Sequence, residues 1–185
     1  QFFRSKAKDR AFIAEYNAFC LPFLIIFLFL ALKFKYLFDF KLLVALLLVF
    51  SSILILNKNK FSSFKKTFFK LKKIVLIGIG CVHGLTNMGG SFLAIYSTMV
   101  SDNVKELARY YICYGYLIMG LFQYLMVLLI SYENLNFTKL YYLVIALLIY
   151  FPTQKIFKNI DDRKFSNYIN IIALAYGFLI LTTYV

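Results

Sequence analysis

Charge in this chain is gathered into short clusters separated by uncharged runs of 15 to 28 residues. That spacing constrains the fold more than any motif does, because a bilayer with a hydrocarbon core about 30 Å thick is crossed by about 20 consecutive apolar helical residues. The runs are Tyr16–Leu32, Leu42–Asn57, Ile74–Ser101, Tyr110–Tyr132, Leu140–Gln154 and Phe165–Val185. A soluble domain is about 45–50% apolar and about 25% charged, whereas this chain is 62% hydrophobic and 16% charged. No soluble core absorbs that much apolar surface, so the expected fold is all-α, a polytopic transmembrane helical bundle.

The formal net charge of +13 raises the question of a nucleic-acid partner. The basic residues lie between the apolar runs, where each Lys or Arg gains about 1 kcal/mol from anionic lipid headgroups. Membrane lipid is therefore the expected partner, and nucleic acid is not. From Lys58 to Lys73 there are seven lysines and no acid, which marks a cytoplasmic loop.

The first two runs are short for straight spans, and Lys33, Lys35 and Lys41 extend them by snorkelling. Pro22 stands near the start of a helix, where a missing N–H costs least. Pro152 is expected to stop a helix ahead of a loop from Lys155 to Lys164. Cys20, Cys81 and Cys113 are odd in number and lie within apolar runs, which gives small core residues rather than a disulfide framework. Tyrosines such as Tyr110, Tyr132, Tyr150 and Tyr168 fall near run ends, as interfacial anchors do. Position 1 is Gln rather than Met, and the opening QFFRSKAKDRAF has no signal-peptide pattern. An upstream portion of the same protein is therefore expected as a partner.

The 28-residue run Ile74–Ser101 is of a different kind. Its centre, IGIGCVHGLTNMGGS, holds five of the eight glycines, Gly78, Gly80, Gly84, Gly89 and Gly90, beside polar His83, Thr86, Asn87 and Ser91. Glycine costs a helix about 1 kcal/mol against alanine, so the cluster predicts a break. Charge bias gives the break a topology. If the run crosses once, with the N-terminus inside, the 21 basic residues divide as twelve inside and nine outside; if it enters and leaves on one side, they divide as 17 and four. The positive-inside rule favours the second arrangement, a re-entrant pair of half-helices with five full spans around it. Irregular backbone at membrane depth must be buried in protein or line a wet cavity.

A half-helix beginning near Asn87–Ser91 turns its unpaired N–H groups and positive dipole end into the protein, an arrangement that suits an anion. Gly89 and Gly90 allow close approach to the backbone, and Thr86, Asn87 and Ser91 supply neutral hydrogen-bonding groups. The competing reading is helix packing, since small residues four apart recur in ordinary membrane interfaces. His83, the only histidine, is a candidate for anion or proton binding, or a packing residue bonded to a carbonyl. Gln123 in the next run either faces the path or makes one interhelical hydrogen bond, and Arg109 either anchors at the interface or draws anions in. Ser91 with His83 would make an intramembrane hydrolase, but no acid within the apolar runs orients the histidine. Cys81 with His83 is too sparse for a metal site. No catalytic residue, metal or cofactor is therefore expected, and a non-transporting membrane scaffold remains the third alternative.

The run HGLTNMGGSFLAIYS, followed by YGYLIMGLFQ, resembles the second-half signature of sulfite exporter TauE/SafE family permeases. The resemblance implies two related halves, each opening with a Gly-rich broken segment and continuing with three spans. Residues 1–60 would then hold the last two spans of a truncated first repeat, and residues 74–185 a complete second repeat. It further implies a secondary transporter of small, sulfur-containing anions such as sulfite or sulfonates, with a coupling ion, in the bacterial inner membrane. The site would comprise His83, Gly84, Thr86, Asn87, Gly89, Gly90 and Ser91, with Gln123 and Arg109 nearby. The chain departs from the family in lacking a first-half Gly-rich segment and in the glycine-free TQKIFKN after Pro152. A re-entrant segment plus three crossings is an odd unit, and an odd unit repeated is inverted.

Overall fold

The computed structural model describes residues 7–34, 41–56, 62–102, 104–130, 132 and 141–182. Regular structure among them is helical, with no strand: α1 Ala7–Phe19, α2 Leu21–Lys33, α3 Lys41–Leu56, α4 Ser62–Thr86, α5 Gly89–Val100, α6 Lys105–Ile130, α7 Tyr141–Asn159 and α8 Asp162–Thr182. Three stretches are long and apolar enough to cross a membrane, Arg10–Lys33, Lys105–Ile130 and Lys164–Thr182. The runs at 42–57 and 140–154 become α3, which is short, and α7, whose hydropathy is diluted by Lys155 and Lys158. Lys35, Lys58 and Lys60 lie outside the described residues.

The first stretch begins earlier than its uncharged run. Cys20 N–H donates to the Tyr16 carbonyl at 2.8 Å and Leu24 N–H to the Cys20 carbonyl at 3.0 Å, so hydrogen bonding continues from α1 into α2. Pro22 sits in the first turn of α2 and interrupts little.

Two expectations fail in α4. The lysine-rich stretch is not a loop from Ser62 onward; it forms the first turns of a 25-residue helix. Lysine is a good helix former, and a run of like charge does not by itself prevent a helix that is held elsewhere along its length. Gly78, Gly80 and Gly84 also lie within regular helix rather than in a break. Two of these glycines meet another backbone. A Cβ on Gly80 would overlap the Cys20 carbonyl oxygen, and one on Gly84 would stand 2.7 Å from the Leu24 oxygen and 2.8 Å from the Leu28 nitrogen. Spaced four apart, they form one flat face against which α2 lies parallel, the small-xxx-small packing of close helix pairs.

The helix is interrupted only at Asn87–Met88, where Asn87 takes a φ of 59°, and α5 folds back along the bundle. Phe12 on α1 fixes the level of its return. The Phe12 ring lies 3.8 Å from that of Tyr111 on α6, nearly parallel at 9°, and 6.2 Å from Tyr96 on α5. One turn further on, Glu15 pairs with Lys72 of α4. The chain therefore passes one level of the bundle near Lys72, turns at Asn87, and regains that level near Tyr96. Gln123, which touches Asn87, lies twelve residues beyond Tyr111, which places the turn about 18 Å deeper along α6. Seven more residues carry α6 about 10 Å past it, to Ile130.

Behind the hairpin α8 packs antiparallel to α3. Gly177 is pressed against Val49, whose Cγ2 would stand 2.8 Å from any Cβ at that position. Ile180 clusters with Val44, Ala45 and Leu48, and Val82, Met88 and Phe92 lean on that cluster. At the opposite end, Lys105 Nζ donates to the carbonyls of Phe157 at 3.2 Å and Ile160 at 2.5 Å. That ammonium satisfies the last carbonyls of α7 and joins the start of α6 to the α7–α8 turn. Pro152 does not end α7, which continues to Asn159. The carbonyl left without its N–H donor is that of Leu148, and next to it the Thr153 hydroxyl donates to the carbonyls of Ile149 at 2.9 Å and Tyr150 at 2.8 Å. Of the cysteines only Cys20 is a core residue; Cys81 is half-buried and Cys113 exposed, and all are free.

The contrast between glycines gives a stability test. Gly84→Ala should destabilise the detergent-solubilised protein by about 1–3 kcal/mol, because its methyl meets backbone that cannot rotate away. Gly78→Ala, which meets nothing within 4 Å, should be neutral or stabilising by up to about 1 kcal/mol. Thermal unfolding followed by circular dichroism would read both; equal melting shifts would refute the packing role.

Candidate functional site

The hairpin tip opens on a cavity of about 390 Å³, within the range of about 300–1,000 Å³ usual for small-ligand sites. His83 enters it from α4; Asn87 and Met88 come from the turn; Gly90 and Ser91 from the first turn of α5. One face of α6 adds Tyr116, Met119, Gly120 and Gln123, and α8 adds Ile172 and Tyr176.

Local chemistry fixes the turn. Asn87 N–H donates to the His83 carbonyl at 2.9 Å, closing the last turn of α4. Asparagine tolerates the left-handed conformation that ends the helix there. Its side-chain Oδ1 accepts from Gln123 Nε2 at 2.8 Å, tying the turn to α6. The Thr86 hydroxyl donates to the Val82 carbonyl at 2.6 Å and accepts from Met88 N–H at 3.1 Å. Methionine then occupies the N-cap of α5, and no side chain caps that helix. Its first N–H groups and a positive end equivalent to roughly half a charge are therefore left to whatever fills the cavity.

His83 is only 4% exposed. Gln123 approaches it, yet neither ring nitrogen has a hydrogen-bond partner of normal geometry. Leaving such a group buried without a partner costs about 1–3 kcal/mol. Glycine at 89 is what lets α5 start so near: a Cβ there would stand 2.5 Å from that of His83. At Gly90 a Cβ would strike the Tyr116 hydroxyl, so this second glycine makes room for a tyrosine. No Asp, Glu, Lys or Arg lines the cavity among the described residues. Neutral donors surrounding a helix N-terminus can hydrogen-bond a small oxyanion without locking it in an ion pair.

Of the residues read from sequence, His83, Asn87, Gly90, Ser91 and Gln123 line this cavity. The others do different work. Gly84 is taken up by α2, Gly89 by the His83 stem, and Thr86 by the backbone of the turn. Arg109 is not near the tip; its Nη1 donates to Gln154 Oε1 at 2.9 Å and its guanidinium lies over the Phe157 ring at 4.4 Å. Tyr116, Met119, Gly120, Ile172 and Tyr176 are the residues sequence reading missed. The α6 set recurs at steps of three and four, a helical face that was visible in the sequence as a pattern but not as a cavity wall. Ser91 and His83 share the cavity without a carboxylate lining it. No group of three His, Cys, Asp or Glu side chains comes together among the described residues.

No family model matches the chain, and neither does any curated protein or solved structure.

The turn offers its own test. Asn87→Gly keeps the backbone conformation and should cost the folded protein no more than about 1 kcal/mol, the worth of its bond to Gln123. Asn87→Val should cost about 2–3 kcal/mol, because a β-branched residue resists positive φ as well. Similar melting temperatures for the two variants would show that the left-handed turn does not form.

Proposed function

We propose that the chain is part of a membrane permease that carries a small anion, held at the tip of the α4–α5 hairpin against the uncapped start of α5. The observation that carries this reading is the combination of an uncapped helix N-terminus with a buried, unpartnered histidine on one cavity wall. Discontinuous helices meeting near mid-membrane are a common way to build transporter sites, because the broken backbone supplies donors that need no charged side chain.

The hairpin is re-entrant in this reading. It descends from the face that carries the lysine-rich first turns of α4 and returns to it, and Lys105 joins that return to the α7–α8 turn. Basic residues on those segments make this the cytoplasmic face under the positive-inside rule. α3 and α7 join the three longer stretches as spans, with α3 backed by α8 and α7 facing lipid over most of its surface. The resemblance to TauE/SafE permeases supports sulfite or a sulfonate as the cargo, the bacterial inner membrane as the location, and an inverted repeat completed by an upstream portion of the protein. Rocking of one repeat against the other would expose the site alternately.

Reconstituted in liposomes, the protein should accumulate a labelled sulfonate or sulfite along an ion gradient. Gly90→Leu, whose side chain would collide with Tyr116 at the cavity wall, should reduce uptake at least about ten-fold, equivalent to about 1.4 kcal/mol of lost binding, while circular dichroism stays that of a helical protein. Uptake by neither protein under any gradient would remove the anion reading, and undiminished uptake by the variant would move the site elsewhere.

A further inference from the structure

We propose that His83 carries the coupling ion: a proton that binds the imidazole together with the anion and leaves with it, making transport an electroneutral proton–anion symport. The inference rests on the permease reading above.

An anion entering this cavity meets no fixed positive side chain among the described residues. The start of α5 offers roughly half a charge, which leaves part of a monoanion's charge uncompensated in a low-dielectric site. His83 is the one lining group whose charge changes near neutral pH. Neither ring nitrogen makes a hydrogen bond of normal geometry, although Gln123 approaches the ring, so a nitrogen can accept a proton and, as imidazolium, donate to an anion. The reverse dependence follows from the same geometry. An imidazolium beside the positive end of α5, with no carboxylate among the lining residues, is unfavourable until an anion lies between them.

Among the described residues the surroundings of His83 add no rival. Tyr116 and Gln123 face it from α6, Tyr176 from α8 and Ser91 from α5, all neutral near pH 7. On α2, Leu24 and Leu28 pack beside it at Gly84, and Cys20, at the junction of α1 and α2, is one turn away against Gly80. Glu15 of α1 is spent on Lys72. Each ligand is therefore a condition for the other: the proton adds to a nitrogen lone pair as the anion arrives and returns to water as it departs, with no net charge carried.

Methanesulfonate is a suitable probe because it stays a monoanion throughout the range of interest. Its binding to the purified protein should weaken as pH rises, by up to about ten-fold per pH unit when measured between about pH 6 and pH 8. Binding in weak buffer should take up close to one proton per anion. His83→Gln should bind weakly and with a flat pH profile. The uptake measurement uses the unaltered protein, so it decides the matter even if the variant misfolds. Binding without pH dependence or proton uptake overturns the proton role and leaves the permease reading standing. A full pH slope retained by His83→Gln places the proton elsewhere and also overturns it. Absence of methanesulfonate, sulfite and sulfate binding at every pH overturns the anion site itself.

Discussion

A backbone that stops being helical inside a protein must find partners for its freed N–H and C=O groups, at a cost of about 1–3 kcal/mol for each one left buried and bare. Every device around Asn87 answers that demand. The Thr86 hydroxyl serves a carbonyl and an amide at once, Asn87 N–H keeps the final bond of α4, and Gln123 reaches across from α6 to hold the asparagine amide. What those groups do not satisfy is the start of α5 and the imidazole of His83. Both border the same cavity, so the interruption and the proposed site coincide.

Neutrality of the cavity wall decides what kind of chemistry such a site can support. A fixed Lys or Arg would hold an anion strongly and release it slowly, because a buried pair broken by removing one partner costs about 3–5 kcal/mol. Backbone dipoles and amides attract less strongly and do not have to be discharged. In the proposed symport the imidazole would supply a charge only while the anion is present, and the low dielectric that makes this charge costly alone would make it effective when paired.

The helical fold and the three stretches long and apolar enough to cross a membrane were legible from run length and composition, and the interruption was legible because glycine and polar residues clustered within one long run. Its exact position was not. Gly80 and Gly84 serve close packing whereas Asn87 serves the turn, yet a missing Cβ looks the same in sequence whichever use is made of it. The lysines of α4 read as a loop because charge reports on solvent, not on φ and ψ. Pro152 read as a stop because proline lacks an N–H, yet one missing bond does not end α7, which continues to Asn159. Arg109 looked like a ligand by charge alone, but it precedes Gln123 by fourteen residues, about 21 Å along the same helix. Tyr116, Met119 and Gly120 were hidden for a different reason: on a helix apolar all round, periodicity does not say which face meets a cavity.

At Gly80 and Gly84 the approach of the chain from Cys20 to Leu28 towards α4 is made by main chain, with carbonyl oxygens and amides seated directly on two flat residues. Side-chain interfaces can creep, since rotamers absorb small displacements. This one has no such slack, and advancing α4 by a single position would bring Cys81 and Leu85 towards atoms that cannot yield. The first hairpin arm is accordingly held in register with its neighbour by atoms that no rotamer change can move aside.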